Sequence, residues 1–177
     1  YKFYWQTDEV EIVSELVRQF WRVFDTSLQA RAKERDLTVS EVLTMASIVE
    51  LETAIDSERS VVSGVYYNRL SKRMRLQADP TVQFIIPDGP RLLLRSDLEI
   101  DSPYNPYRHQ GLPPGPITNP GKESIRAALN PARHKFLYFV ATGYGGHRFS
   151  RTFNEHKRAI RNYHNVRKTQ QAVKISG

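Results

Sequence analysis

Two carboxylates, Glu50 and Glu52, stand two residues apart in the segment Ala46-Ser47-Ile48-Val49-Glu50-Leu51-Glu52-Thr53. At about 100° per residue, Val39, Val42, Leu43, Ala46 and Val49 share one side of a helix, and Ile48, Leu51 and Ile55 cluster on the other. A helix with two apolar sides is buried between layers. An ionised carboxylate there is costly unless it is paired or protonated. Apolar surroundings raise a carboxyl pKa toward the neutral range, where a general acid works. The chemistry open to such a residue is proton delivery. The alternative is a buried glutamate paired with Arg59, Arg69 or Arg75, because ion-pair networks also perturb pKa values. Glu50 falls among the core-side residues and Glu52 near Met45 and Ile48, so the helical wheel does not choose between them.

Other chemistries find little support. The chain has no cysteine, which excludes disulfides, a thiolate zinc site and a cysteine nucleophile. It has no Gly-rich phosphate loop, His-x-x-x-His pair or Gly-x-Ser-x-Gly elbow. The five histidines show no ligand spacing, so neither a metal nor another cofactor is expected. The net charge of +7 suggests a nucleic-acid partner until its distribution is considered. Residues 147–177 carry eight Lys/Arg and one acid, and the rest of the chain carries eighteen of each. A neutral body with a basic tail argues against nucleic acid; the tail reads as a solvated helix face or a contact for an anionic polymer or surface.

The elements that must position the carboxylates follow from periodicity and punctuation. Residues 1–6 alternate Tyr1, Phe3 and Trp5 with Lys2, Tyr4 and Gln6, which predicts a short strand. Thr7 is the expected cap of a helix through Val13, Leu16, Val17, Phe20, Phe24 and Leu28, ending in the charged stretch 31–36. Thr38 and Glu41 have capping-box spacing ahead of the Glu50/Glu52 helix. Asp56 or Ser57 opens another helix, in which Gly64 marks close approach of a neighbouring backbone. All ten prolines lie between Pro80 and Pro131, so the middle is built of turns and extended chain, ordered by interleaved apolar residues. A short helix is expected over Lys122–Leu129, a hairpin over 136–150 around Gly143-Tyr144-Gly145-Gly146, and a last helix from Asn154. On that last helix Ala159, Ile160 and Tyr163 should dock, leaving Arg158, Arg161 and Arg167 solvated. These elements sum to an α+β domain: a helical core, a Pro/Gly-rich loop region and a small β-hairpin. The 177 residues, 40% of them apolar, suffice for one core. No apolar run approaches the ~18 residues of a membrane span and no signal peptide is visible. The chain opens on Tyr1 without an initiator Met, so it is expected to be part of a longer protein.

Nine ordered motifs resemble one known family. They are Ala-Ser-Ile-Val-Glu-Leu-Glu-Thr (46–53), Ser-Glu-Arg (57–59), Asn-Arg-Leu (68–70), Met-Arg-Leu-Gln-Ala-Asp-Pro-Thr-Val (74–82), Ser-Pro-Tyr-Asn (102–105), Gly-Leu-Pro-Pro-Gly-Pro-Ile (111–117), Asn-Pro-Gly (119–121), Tyr-Phe-Val (138–140) and Gly-Gly-His (145–147). In this order they are similar to the endolytic murein transglycosylases, the MltG or YceG-like family, over about residues 38–156. Leu51 stands where many members carry a charged residue. The resemblance implies an enzyme anchored in the bacterial inner membrane, facing the periplasm and cell wall and acting on nascent peptidoglycan strands, with cell-wall synthases as partners. It implies that residues 1–6 are a remnant of a preceding LysM-like subdomain and that 7–177 form the catalytic domain, the membrane anchor lying outside this chain. Among the site residues, it implies Glu52 as the catalytic carboxyl and Asn68, Gln77, Asp79, Tyr104 and Asn105 as candidates for the glycan groove. The implied reaction is lytic: one carboxyl gives a proton to the leaving oxygen, then takes one from the sugar's own C6 hydroxyl, leaving a 1,6-anhydro-N-acetylmuramic acid end. A hydrolytic glycosidase would usually need two carboxylates. The competing expectation is a non-catalytic glycan-binding or scaffold module, which would keep the groove but need no buried acid.

Overall fold

In a computed structural model that describes residues 1–87 and 89–175, Asp8 rather than Thr7 caps the first helix, α1 (Glu9–Val23). Its carboxylate accepts from Val10 N at 2.6 Å. A side-chain oxygen at that position satisfies one of the N–H groups that a helix start leaves unpaired. Thr7 instead turns back, its hydroxyl donating to Tyr4 O at 2.8 Å. The single helix expected as far as the 31–36 stretch is in fact two. Asp25 accepts from Leu28 N at 3.0 Å and starts α2 (Thr26–Glu34), a cap set inside an unbroken apolar period. The strand expected over residues 1–6 does not form: Tyr1 and Phe3 stack at 6.0 Å and a turn follows. With no strand beside it among the described residues, extended chain there would leave its amides without ladder partners.

Contacts gather into two compact units, Tyr1–Val39 and Ser40–Gly177. Within the first unit Phe24, Leu28 and Ala32 are buried, with Phe20 stacked on Phe24 at 5.5 Å.

The second unit is organised on two consecutive helices. α3 (Val39–Glu52) follows Thr38 as its spacing predicts and buries Val42, Met45, Ala46, Ile48 and Val49 completely. α4 (Asp56–Ser71) buries Val62, Val65 and Tyr66 and packs on α6 (Lys122–Leu129). Between them the proline-bearing stretch forms α5 (Asp79–Ile85), with Pro80 in its first turn where the missing N–H does no harm, and a short 3-10 helix over Arg95–Glu99. Side chains supply the order that long elements would otherwise give. Asp97 accepts from Arg91 at 2.6 and 2.8 Å and from Leu94 N at 2.6 Å. Asn105, fully buried, donates to Leu98 O at 3.0 Å and Ile100 O at 2.8 Å and accepts from Tyr107 N at 3.0 Å.

β1 (Tyr138–Ala141) and β2 (His147–Ser150) pair antiparallel, Tyr138 opposite Ser150 and Ala141 opposite His147. The turn joining them carries Gly143, Gly145 and Gly146 at positive φ, a region open to glycine at no steric cost. α7 (Phe153–Ile175) packs on both strands. Ala159 is buried and Ile160 and Tyr163 half-buried, whereas Arg158, Arg161 and Arg167 are exposed, as the sequence pattern predicts. The class is α+β.

At Gly64, α4 lies directly against the 132–134 segment. A Cβ there would lie 2.5 Å from Ala132 O and 2.6 Å from His134 Nε2. Ala would gain up to ~1 kcal/mol in helix propensity, but the obstacle is backbone. Gly64→Ala is therefore expected to lower stability, by about 1–3 kcal/mol for such overpacking. Urea denaturation measures it, and a midpoint equal to or above that of the parent would show that the 132–134 segment yields.

Candidate active site

The two glutamates left undecided by the helical wheel prove to have opposite fates. Glu50 is the paired one: its Oε2 accepts from Arg59 at 3.1 Å and from Gly121 N at 3.2 Å. Arg59 in turn bonds Asp56 at 3.0 Å and Ser124 Oγ at 2.6 Å. Glu50 thus ties α3 to α4 and to the start of α6. Glu52, at the end of α3, makes no ion pair among the described residues; its Oε1 accepts a hydrogen bond from the Tyr66 hydroxyl of α4. Burial pushes its carboxyl up from 4.5 to about 7; the Tyr66 bond opposes this, the charge of Asp79 adds to it, and Arg69 opposes it.

Arg69 could have quenched the acid, and its geometry explains why it does not. Its Nε donates to Leu137 O at 2.7 Å and its Nη1 to Leu76 O at 2.6 Å, with the guanidinium 5.2 Å from the centre of the Tyr138 ring. Anchored on carbonyls, it acts on Glu52 through space only. Burial also lowers its own pKa, against the pull of its neighbours.

Glu52, Tyr66 and Arg69 line an open cavity of about 430 Å³ together with Gln77, Asp79, Tyr107 and the hairpin face of Phe139 and His147. Tyr107 donates to Asp79 Oδ1 at 2.5 Å, and burial, that bond and nearby negative charge raise its phenol pKa. Gln77 has φ +48°, a left-handed conformation rare for a residue with a side chain, and its N–H donates to Pro106 O at 3.3 Å. Strain of this kind persists only where the surroundings hold it. His147 closes the hairpin end of the cavity through Glu58: its N donates to Glu58 Oε1 at 2.9 Å, and its Nδ1 lies 2.7 Å from Glu58 Oε2. Burial pushes Glu58 up, but the His147 bonds outweigh it and hold the carboxyl below its ordinary value. His156 of α7 stacks on Tyr138 at 5.1 Å, and burial, with Arg69 nearby, lowers its pKa.

Of the residues singled out in the sequence, the cavity brings together Glu52, Gln77 and Asp79. Asn68, Tyr104 and Asn105 do not line it. Asn68 donates to His134 O at 2.9 Å and Phe136 O at 3.0 Å, Asn105 is consumed by its loop, and Tyr104 packs on Phe84 with centroids 5.1 Å apart. Tyr66, Tyr107, Phe139 and His156 were not singled out. Tyr66 sits in the apolar period of α4 and so reads as core. Tyr107, two residues past Asn105, belongs to a loop whose path only the fold determines.

The fold and cleft define a helical α+β scaffold holding, at the wall of an open cavity, a carboxyl whose pKa is raised to about 7. The chain belongs to the YceG-like family, whose model matches residues 1–162. It is 40% identical over 153 residues to the endolytic murein transglycosylase of Bacillus subtilis (strain 168), which covers 86% of this chain and 42% of that protein. It is 36% identical over 141 residues to that of Streptococcus pneumoniae, covering 75% of this chain and 26% of that protein. The crystal structure of a YceG-like protein from Listeria monocytogenes superposes with a TM-score of 0.81 at 38% identity, over 89% of this chain and 51% of that one. The chain thus spans about half or less of the length of these relatives.

The pH behaviour follows from the Glu52 environment. A carboxyl whose folded pKa is raised stabilises the fold fully at pH below 4.5, and that contribution is lost as pH rises through about 7. Relative to Glu52→Gln, the parent should therefore lose stability across that window. Tyr66→Phe removes a bond that favours the carboxylate, so Glu52 should titrate at higher pH in that variant. Carbon-13 NMR titration of the Glu52 carboxyl reads both; a lower value in Tyr66→Phe would contradict the assignment of the hydrogen bond.

Proposed function

We propose that this chain carries the catalytic machinery of a lytic transglycosylase that cuts peptidoglycan strands internally, between N-acetylmuramic acid and N-acetylglucosamine. The observation that supports this most is the unpaired, burial-raised carboxyl of Glu52 opening onto a cavity, beside a second glutamate that is ion-paired and so excused from chemistry. The names of the Bacillus and Streptococcus relatives point the same way. In the proposed reaction Glu52 gives its proton to the glycosidic oxygen as the bond from that oxygen to C1 breaks. The C6 hydroxyl of the same muramic residue forms the new bond to C1, and its proton passes to the Glu52 carboxylate. The acid is regenerated, no water enters, and the product carries a 1,6-anhydro ring. Because the nucleophile belongs to the substrate, holding the sugar in a reactive conformation supplies much of the rate. Gln77, Asp79 and Tyr107 are placed to do so, while Asn68, Tyr104 and Asn105 would act by shaping the loops around them.

We further propose residues 7–177 as the catalytic domain, with residues 1–6 the end of a LysM-like subdomain. A membrane-anchoring segment elsewhere in the protein would hold the chain at the outer face of the inner membrane beside cell-wall synthases.

Glu52→Gln keeps shape but cannot deliver a proton, so cleavage of purified glycan strands should fall by about 10²- to 10⁴-fold, the usual contribution of a general acid, while the fold survives. Glu50→Gln should retain measurable cleavage. Reaction in heavy-oxygen water, followed by mass spectrometry, should give unlabelled anhydro ends one water lighter than hydrolysis products. Label at a new reducing end would make the protein a hydrolase and turn attention to Asp79 as a second carboxylate.

A further inference from the structure

We propose that a groove between the β-hairpin turn and α7 is a second binding site, for carboxylate groups on the side branches of the strand whose backbone lies at Glu52. This rests on the glycan-cleaving reading above and adds to it a recognition element for the peptide that each muramic residue carries. The groove encloses about 630 Å³, more than the Glu52 cleft. Thr142 and Tyr144 from the turn, Arg148 from β2, and Arg158, Arg161 and Asn162 from α7 line it. All three arginines are exposed, and among the described residues none forms an ion pair with a carboxylate. Glu155, the one acid in the lining, lies within electrostatic reach of Arg158 but is engaged as a helix cap. It accepts from Arg151 N at 2.8 Å and Thr152 N at 3.3 Å, and those bonds hold its carboxyl below the ordinary value.

Three guanidinium groups around a concave surface, with hydroxyl and amide donors between them, match a planar anion that accepts two bonds at once. An occupant attached to the substrate is favoured over a free one because the two cavities share a lining residue. Ala141, the last residue of β1, lines both. A ligand whose backbone fills the Glu52 cleft can pass over this strand end and place a branch in the groove. Peptidoglycan has no phosphate in its backbone, whereas its stem peptides end in carboxylates. The basic excess of residues 147–177 over an otherwise neutral chain is thereby given a place to act.

The test uses the whole 177-residue chain and two soluble probes: a muropeptide disaccharide bearing its stem peptide, and the same disaccharide with the peptide removed. Nitrogen-15 NMR titrations should show the peptide-bearing probe binding about 5- to 20-fold more tightly, as expected for a few exposed charge pairs. The amides of Tyr144, Arg158 and Asn162 should move only with that probe. Arg158→Gln/Arg161→Gln, both on the exposed side of α7, should erase the difference, and raising salt should shrink it in the parent. Equal affinity for the two probes, or unmoved groove amides, overturns the proposal. So does tighter, variant-sensitive binding to vesicles containing phosphatidylglycerol, which would make the groove a membrane contact. Failure of the transglycosylase reading appears separately, as absence of anhydro products from long strands with the parent protein.

Discussion

A carboxyl whose pKa is to lie near 7 has to be partly withdrawn from water and kept from direct pairing with cations, and the Glu52 region is arranged around this requirement. Apolar burial along α3 raises the pKa, and the Tyr66 hydroxyl is the direct hydrogen bond that moderates it. One arginine, Arg69, is near enough to act on Glu52, and it is held by the carbonyls of Leu76 and Leu137. A direct pair with it would hold the Glu52 carboxyl in its charged form. Arg59 is taken by Glu50, Asp56 and Ser124. The two glutamates are two residues apart, which places them roughly 200° apart around the helix. One can therefore serve packing while the other serves chemistry.

α4 carries most of the consequences. Over fewer than five turns it presents Glu58 to the hairpin turn, Gly64 to the backbone of Ala132, Tyr66 to Glu52, Asn68 to the carbonyls of His134 and Phe136, and Arg69 to Leu137. The segment 132–137, ahead of β1, has no regular structure. Its carbonyls are satisfied by α4 side chains instead of by a ladder, as buried backbone groups require. Gly64 permits the approach, and Asn68 and Arg69 fasten it. The hairpin that closes the cavity is thereby held in place by the helix that holds the hydrogen-bond partner of the acid.

The helices of residues 39–71, 122–129 and 153 onward, and the hairpin, were legible because each has one period and one set of stop signals. The first helix was not: Asp25 caps a new helix in the middle of an apolar period, a local hydrogen bond that periodicity does not register. The strand expected over residues 1–6 was misread because alternation describes a strand's faces and says nothing about a partner for its edges. In the site, the apolar pattern of the helix singled out the Glu50/Glu52 pair, and only the family resemblance chose Glu52 and pointed to Gln77 and Asp79. Tyr66 and Phe139 were not, since an aromatic residue in an apolar period reads as core until a neighbour from another element supplies the polar contact. Asn68 and Asn105 mark the converse limit. Both are well-placed amides, and both are used to hold chain rather than to line the cavity, a distinction set by which carbonyls the fold brings to them.

The features that hold a proton on Glu52 also bear on the second half of the proposed reaction. Once the proton is given up, the carboxylate is desolvated, faces the negative charge of Asp79 and has one phenol to stabilise it. It is therefore a far better base than a solvated glutamate, about 7 against 4.5 in pKa. A residue that must act first as acid and then as base in one turnover works best when its pKa lies near the working pH, since neither form is then held too firmly. In the proposed reaction Asp79, with one oxygen accepting from Tyr107, contributes through its negative charge, which raises the Glu52 pKa. A single proton carrier then suffices for both halves of that reaction.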